Sequence, residues 1–223
     1  MIKYIKKVKR IIFKYNKISL KKGEKMRKLI IASNNKGKIE EIKNILKDFN
    51  FEVYSLKEKG INIDVEETGK TFAENAYIKA KAIYDLNKEY CVLADDSGLM
   101  VDYLNGEPGV YSARYSGEHG NDKRNNEKLI EKLKNVPYEK RGAKFACALT
   151  LILESGKTVD SYGEVRGYIL QKEQGESGFG YDPLFYVDEF KKTFAEISID
   201  EKAKISHRGR ALKELREKLS KEI

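Results

Sequence analysis

The residues with the clearest chemical potential are two adjacent carboxylates, Asp95 and Asp96, which follow the apolar run of residues 90–93. This run predicts a short buried strand that ends where the two aspartates begin. Two like charges side by side are unfavourable unless a cation or hydrogen-bond donors compensate them. Carboxylate oxygens beside phosphate groups suit a divalent cation such as Mg²⁺. The pair therefore predicts a metal or catalytic site, and the alternative is a polar turn in which one aspartate caps the next element.

A lysine-containing loop, residues 33–38 with the sequence SNNKGK, follows the first apolar run after residue 26. That run, residues 28–32, predicts a buried strand, and the spacing of isoleucine and leucine after the loop predicts a helix. A loop between a strand and a helix N-terminus exposes free backbone N–H groups, which bind anions. Lys36 and Lys38 add positive charge, so the loop predicts an anion site. The alternative is a pair of solvated lysines beside an ordinary first helix.

Two later stretches contain groups suited to a flat, charged ligand. Phe179, Tyr181 and Asp182 lie among the glycines of residues 177–187, and glycine allows the backbone to approach a ligand closely. A tight turn that buries two aromatic rings is the alternative. Residues 202–210 carry a cationic cluster that leads into a C-terminal amphipathic helix.

The elements that must position these groups are helices and strands of ordinary length. An acidic pair, Glu66 and Glu67, precedes a helix predicted over residues 72–87. Ser-Gly-Lys links two β-rich runs, residues 143–154 and 158–170, and predicts a hairpin. The length of 223 residues, with 40% hydrophobic and 35% charged residues, fits a soluble protein with one large α/β domain or two small ones.

The basic charge of the chain is confined to its N-terminus. Residues 1–25 carry ten Lys or Arg and one Glu, whereas residues 26–223 carry 34 residues of each sign, so the +9 net charge belongs to the extension. The balanced body predicts no nucleic-acid partner. No apolar run approaches the roughly 18 residues of a membrane helix. Cys91 and Cys147 lie in apolar runs, which predicts buried thiols and a reducing cytoplasm.

The extension itself, residues 1–25, mixes lysines with isoleucine, phenylalanine and tyrosine. One interpretation is a basic amphipathic helix on an anionic membrane surface. We expect instead a disordered segment or an over-extended start, because Met26 immediately precedes the first predicted strand. The folded domain is then residues 26–223.

Five separated motifs occur in a specific order: SNNKGK, EETGKTFAENA, ADDSGL followed by GEPGVYSARYSG, GFGYDPLF and SHRGRAL. This series closely resembles the inosine triphosphate pyrophosphatase family over residues 29–219. The resemblance implies hydrolysis of non-standard purine nucleoside triphosphates (ITP, dITP and XTP) to the monophosphate and pyrophosphate. It also implies an α/β fold in which a long mixed, twisted β-sheet has flanking helices and two lobes surround a central active-site cleft. Mg²⁺ as cofactor and a homodimer without nucleic-acid or membrane partners are expected.

Position by position, the resemblance implies that Glu66 and Asp96 hold Mg²⁺ and that Asp96 is the catalytic base for water. The residues implied to contact the nucleotide are Ser33, Asn34, Asn35, Lys36, Gly37, Lys38, Ser97, Phe179, Gly180, Tyr181, Asp182, Lys202, His207 and Arg208. The role of Asp95 stays open between sharing a metal and capping the loop. The first loop departs from the family's usual Thr-Gly-Asn, but asparagine tolerates the left-handed backbone conformation that glycine provides, so we expect the loop to be retained.

Base selection is expected to depend on hydrogen-bond donors. Lys202, His207 and Arg208 suit the 6-carbonyl of hypoxanthine and xanthine and leave a donor facing the 6-amino group of adenine. Phe179 and Tyr181 are expected to stack on the purine, while Asp182 or a nearby carbonyl accepts from the ring N–H. The alternative is that His207 and Arg208 bind phosphate only.

Two other functions remain open at this level. A related pyrophosphatase of the septum-inhibitor type acts on pyrimidine or modified nucleotides, although the GFGYDP and SHRG motifs argue against it. A binding module whose residues 1–25 target nucleic acid or membrane is the alternative from another class. Salt-dependent retention of the full chain on DNA or anionic vesicles would favour the binding module.

Overall fold

The structure, a computed structural model, describes residues 26–47 and 49–220, so the predictions for residues 1–25 lie outside it. The strands are β1 (Arg27–Ile31), β2 (Phe51–Ser55), β3 (Cys91–Val101), β4 (Gly142–Ile152), β5 (Thr158–Ile169), β6 (Phe185–Val187) and β7 (Lys192–Thr193). The α-helices are α1 (Lys36–Leu46), α2 (Phe72–Leu86), α3 (Asp122–Leu133), α4 (Ile199–Ile205) and α5 (His207–Leu219). A short 3₁₀-helix, Gly109–Arg114, follows β3.

The strands form one mixed, seven-stranded sheet in the order β2-β1-β3-β4-β5-β6-β7. β1 pairs in parallel with both β2 and β3, and every later pairing is antiparallel. The predicted hairpin joins β4 and β5, where the Leu153 N–H donates to the Lys157 carbonyl at 2.9 Å. This mixed sheet with flanking helices confirms the predicted α/β fold class.

Both faces of the sheet are covered, because alternate residues of a strand point to opposite faces. Ile31 of β1 packs in one core cluster with Ile42 of α1 and Leu212 of α5. Its neighbour Ile30 packs in another cluster with Ile83 of α2. A strand buried on both faces reads as a continuous apolar run, which explains the sequence of β1.

The long strand β3 passes straight through the aspartate pair, so the prediction that the strand ends there is wrong. Its physical cause is β4, which pairs with β3 along the whole stretch and aligns Asp95 with Leu149 and Asp96 with Ala148. On the other side, β1 ends at Ile31, opposite Leu93. The two aspartates therefore lie where β3 continues beyond its parallel neighbour, and a site opens at that end of β1.

Local signals set the starts of the two helices nearest this opening. α1 begins after Asn35, whose side-chain oxygen accepts from the Lys38 N–H at 2.9 Å. α2 begins with a capping box between Thr71 and Glu74, so its predicted start is confirmed. None of the described helices is long and apolar enough to cross a membrane. Cys91 and Cys147 are both free and buried, as expected.

Candidate active site

A cavity beyond the C-terminal end of β1 brings most of the predicted site residues together. Its lining includes Ser33, Asn34, Asn35, Lys38, Asp96, Ser97, Phe179, Gly180, Tyr181, Asp182, Lys202, His207 and Arg208. Ligands of open α/β sheets bind outside the carboxyl ends of the strands, which is where this cavity lies. Three predicted residues, Lys36, Gly37 and Glu66, do not line it. Lys36 and Glu66 are exposed side chains.

The first loop reaches the cavity without a left-handed residue at either asparagine. Neither Asn34 nor Asn35 has a positive φ; Asn35 lies at −75°. The loop therefore does not use the left-handed conformation that asparagine tolerates, and Asn35 serves as the N-cap of α1. This cap directs the first turn of the helix, with its free N–H groups, toward the cavity.

Asp95 is fully buried and is the centre of an ion-pair cluster. The Lys38 ammonium lies 2.6 Å from its Oδ1 and the Arg208 Nε lies 3.1 Å from its Oδ2. The thiol of Cys147 and the hydroxyl of Ser97 also donate to it, at 3.0 and 3.2 Å. Burial alone would raise the pKa of Asp95, but Arg208 and Lys38 hold it well below its ordinary value. Asp95 is a permanently charged structural carboxylate in this arrangement.

Asp96 faces different partners. Its Oδ2 accepts from the Asn75 side chain at 3.0 Å, and its Oδ1 accepts from the Ser97 backbone N–H at 3.1 Å. The Lys79 ammonium lies 3.6 Å from Oδ1. Burial raises the pKa of Asp96, and Lys79 and Lys38 only partly oppose that rise. A carboxylate with a raised pKa is a better proton acceptor, which suits a general base.

The second acidic residue beside Asp96 is Glu67, not the Glu66 implied by the resemblance. The Lys79 ammonium lies 2.6 Å from Glu67 Oε1, so one cation lies between the carboxylates of Glu67 and Asp96. Arg114 Nη1 approaches Glu67 from the other side at 3.5 Å. Burial raises the pKa of Glu67, but Lys79 outweighs burial and lowers it overall.

The carboxylates of Glu67 and Asp96 are also the candidate ligands for a metal ion. Among residues 26–47 and 49–220, no three His, Cys, Asp or Glu side chains are grouped to hold a metal ion. Mg²⁺, however, is commonly bound through one or two carboxylates together with waters and substrate phosphates. Glu67 and Asp96 match that donor set, and the ammonium between them shows that the pair attracts a cation. The residues present therefore fit Mg²⁺.

A second line of buried ion pairs joins α1 to the C-terminal helices. Glu41 of α1 accepts from Lys202 at 2.6 Å and from the Arg208 Nη1. Lys202 also pairs with the buried carboxylate of Asp182 at 2.5 Å, and Arg208 Nη2 donates to Ser97 Oγ at 2.8 Å. Each guanidinium nitrogen of Arg208 thus has a protein partner. Arg208 fixes the cavity wall by these contacts, whereas the sequence predicted only ligand contacts for it.

His207 is buried and stacks on Phe145, with the ring centroids 4.8 Å apart and the planes 12° apart. Burial, together with Arg208 and Lys202, holds the pKa of His207 well below 6.5. The imidazole is therefore neutral at physiological pH and offers one donor and one acceptor. The expectation that His207 presents mainly donors to the base stays a prediction, which a neutral ring does not favour. Its Nδ1 is buried and has no hydrogen-bond partner within the described part of the chain.

The aromatic residues of the GFGYDP motif occupy different environments. Phe179 is half-buried in the cavity wall, 4.9 Å from the Lys202 ammonium, and its ring lies against Gly37, where an added Cβ would come within 2.4 Å. Tyr181 is buried in the core, and its hydroxyl donates to the Ser112 carbonyl at 2.9 Å. Phe179 is free to stack on a base, whereas this packing does not fit the stacking role expected for Tyr181. Asp182 accepts from the Phe179 N–H at 2.9 Å, so its carboxylate holds the loop.

Four side chains that shape the site had no role assigned from the sequence. Asn75 and Lys79 lie four residues apart on one face of α2, and that spacing was a usable signal. Glu41 is the charged residue on the buried face of α1. Glu67 differs from Glu66 only in the direction of its side chain, for which a loop sequence has no periodic signal.

Comparisons with known proteins show the family of the chain. The profile of the Ham1 family matches residues 29–218. A dITP/XTP pyrophosphatase of Clostridium perfringens (strain 13 / Type A) is 57% identical over 199 residues, which cover 87% of this chain and 98% of that protein. The solved Ham1 protein of Staphylococcus aureus superposes with a TM-score of 0.77 at 45% identity, covering 88% of this chain and 100% of that chain.

A solved nucleoside-triphosphatase / dITP/XTP pyrophosphatase of Mycobacterium abscessus has a TM-score of 0.67 at 41% identity, covering 84% of this chain and 98% of that chain. The match thus extends over nearly the whole length of each of these relatives, in sequence and in fold. The chain belongs to the Ham1 family.

Proposed function

We propose that this protein hydrolyses non-standard purine nucleoside triphosphates, such as ITP, dITP and XTP, to the monophosphate and pyrophosphate. Relatives named dITP/XTP pyrophosphatase at up to 57% identity support this activity. The structural observation that carries the proposal is Asp96, a buried carboxylate in the cavity wall that is held by the Asn75 side chain and lies 3.6 Å from the Lys79 ammonium. In this reaction a water oxygen bonds to the α-phosphorus, and the bond from that phosphorus to the leaving pyrophosphate breaks.

The proposal includes Mg²⁺ held by Glu67 and Asp96. When bound, Mg²⁺ neutralises charge on the phosphate oxygens and polarises the phosphoryl group. Glu67 and Asp96 would hold the ion, and the Lys79 ammonium, which lies beside both carboxylates, would be available to contact phosphate oxygens. Glu67 takes this role in place of Glu66, because Glu67 is the glutamate that lines the cavity.

Side chains and backbone groups of the protein accept the proton of the water and bind the triphosphate. Asp96 accepts the proton of the attacking water, and Asn75 and the Ser97 N–H hold its carboxylate in position. Lys38 lies at the N-terminus of α1, where its ammonium and the free backbone N–H groups attract the triphosphate. Catalysis of phosphoryl transfer is mainly positioning and charge stabilisation, and these residues supply both.

The base of the nucleotide is placed at the part of the cavity wall that contains Phe179 and His207. Phe179 offers its ring for stacking, and the free Nδ1 of the neutral His207 offers one specific hydrogen bond. A buried polar atom that remains unpaired with the wrong base penalises that base strongly. We therefore propose that His207 Nδ1 recognises the base, in place of the three donors expected from Lys202, His207 and Arg208.

The finer parts of the proposal concern the cellular setting. We place the protein in the cytoplasm as a homodimer that needs neither nucleic acid nor membrane. The two free, buried cysteines support a reducing compartment. The balanced charge of residues 26–223 supports the absence of a nucleic-acid partner.

The proposed reaction is tested by identifying the products. The protein is incubated with ITP and Mg²⁺, and nucleotides and phosphates are separated and quantified. IMP and pyrophosphate in equal amounts support the proposal, whereas IDP and orthophosphate would refute it. The alternative activity on pyrimidine or modified nucleotides is tested in the same assay with those substrates.

A further inference from the structure

The first two turns of α3 hold a loop of the cavity by its backbone. The Asp122 carboxylate accepts from the Gly180 N–H at 2.7 Å, and the Asn126 side chain donates to the Gly180 carbonyl at 3.1 Å. The backbone N–H and the backbone carbonyl of Gly180 are thereby both fixed by side chains four residues apart on one helix face. Asn126 also donates to Glu173 Oε1 at 2.7 Å, at the start of the same loop region.

Gly180 lies in a segment whose glycines give the backbone unusual conformational freedom. Gly180 has a φ of +62° and Gly178 a φ of +81°, so Phe179 lies between two glycines in the left-handed region. Such a segment loses much conformational entropy when it is ordered. The contacts of Gly180 with α3 act together with the Asp182 carboxylate, which accepts from the Phe179 N–H, to keep the Phe179 ring at one place in the cavity wall.

The same helix turns also hold the loop on the other side of the cavity. Asn125 accepts from the Ser116 N–H at 2.8 Å and donates to the Ala113 carbonyl at 3.4 Å. Ala113 and Asp122 both line the cavity. α3 thus links two cavity loops through polar side chains, and Asn125 and Asn126 are buried although they belong to a charged helix.

We propose that Asp122 and Asn126 are positioning residues for base recognition. They act through the backbone of Gly180, whose fixed N–H and carbonyl set the position of the neighbouring Phe179 ring in the cavity wall. This inference rests on the proposed function, because it assigns the Phe179 loop to the base of the nucleotide. It predicts that loosening the loop weakens binding of the base and leaves the proton transfer at Asp96 nearly unchanged.

The experiment compares the full-length protein with its Asp122→Ala and Asp122→Asn variants. Asparagine keeps a side-chain oxygen for the Gly180 N–H, whereas alanine removes it. Glu118→Ala is the matched control, because Glu118 contacts Asn121 and Arg124 at the same helix end but not the 177–182 loop. The measurements are kcat and KM for ITP, the melting temperature, and amide hydrogen exchange of residues 177–182.

The expected result for Asp122→Ala is a rise in KM of about tenfold with kcat changed by less than about threefold, since the geometry of the bound base is lost while the chemistry is kept. Exchange of residues 177–182 should accelerate while β4 keeps its protection. Asp122→Asn should stay near the wild type, and Glu118→Ala should match it.

Two results would overturn the inference. One is unchanged KM and unchanged exchange in Asp122→Ala; the other is a lower melting temperature with a parallel fall of kcat and no rise in KM, which is a purely structural effect. If the wild type releases no pyrophosphate from ITP, the proposed function has failed. Hydrogen exchange then decides the loop contact by itself, and unchanged exchange in Asp122→Ala refutes it.

Discussion

Asp95 and Asp96 are neighbours in the chain, but their carboxylates face opposite sides of the sheet and have opposite electrostatic environments. Asp95 contacts Lys38 of α1 and Arg208 of α5, whereas Asp96 contacts Asn75 and Lys79 of α2. The pKa of Asp95 is held low and that of Asp96 is raised, although burial acts upward on both. One carboxylate is thus structural and the other is available for proton transfer.

This division predicts different consequences for the same substitution at the two positions. Asp96→Asn should lower kcat/KM on the order of a hundredfold or more with little change in melting temperature, because the proton acceptor is lost. Asp95→Asn should destabilise the fold by about 3 kcal/mol, because Arg208 and Lys38 lose a buried partner. Pyrophosphate release and urea unfolding measure the two effects. Near wild-type turnover of Asp96→Asn at saturating Mg²⁺ would contradict the assignment.

The metal site is tested by two adjacent glutamates that serve as each other's control. Glu67→Gln should raise the Mg²⁺ concentration needed for half-maximal activity by about tenfold or more, because a carboxylate ligand and its charge are lost. Glu66→Gln should leave that concentration unchanged, since the Glu66 side chain is exposed outside the cavity. Mg²⁺ titrations of both variants decide the point. The reverse pattern would restore Glu66 as the ligand.

Arg208 is predicted to act on all substrates alike. Its guanidinium donates to Asp95, Glu41 and Ser97, so Arg208→Ala leaves two buried carboxylates without this partner. We expect a stability loss of about 3–5 kcal/mol and a similar fall of kcat/KM for ITP, ATP and GTP. Specificity constants for the three nucleotides are the measurement. A selective loss of the ITP preference over ATP would show instead that Arg208 recognises the base.

His207 predicts a pH dependence of stability. The pKa of His207 lies well below 6.5 in the folded protein, whereas a histidine in the unfolded chain has a pKa of about 6.5. The unfolded state therefore binds more protons below that pH, and the free energy of unfolding should decrease as the pH falls from about 6.5, by at most about 1.4 kcal/mol per unit.

The matched variant is His207→Phe, which keeps an aromatic ring beside Phe145 but has no titratable group. Urea unfolding between about pH 5 and 8 should show a smaller slope for this variant than for the wild type. Equal slopes would mean that His207 is not buried as a neutral imidazole.

Much of the fold and part of the site could be predicted from the sequence, for identifiable reasons. The helix that starts at Phe72 and the β4–β5 hairpin follow from local signals, namely the helical spacing of apolar residues and a Ser-Gly-Lys turn. The length of β3 could not be predicted, because pairing with β4 extends the strand through two aspartates that favour turns. The choice between Glu66 and Glu67 depends on tertiary packing against α2.

The central claim is tested most directly by pyrophosphate release from a panel of nucleoside triphosphates under identical conditions with Mg²⁺. The panel contains ITP, dITP and XTP, together with ATP, GTP and the pyrimidine triphosphates. We predict that ITP, dITP and XTP are cleaved to monophosphate and pyrophosphate. Their specificity constants should exceed those of the other nucleotides by a factor on the order of 10²–10⁴. Equal cleavage of ATP and ITP, or preferred cleavage of a pyrimidine triphosphate, would contradict it.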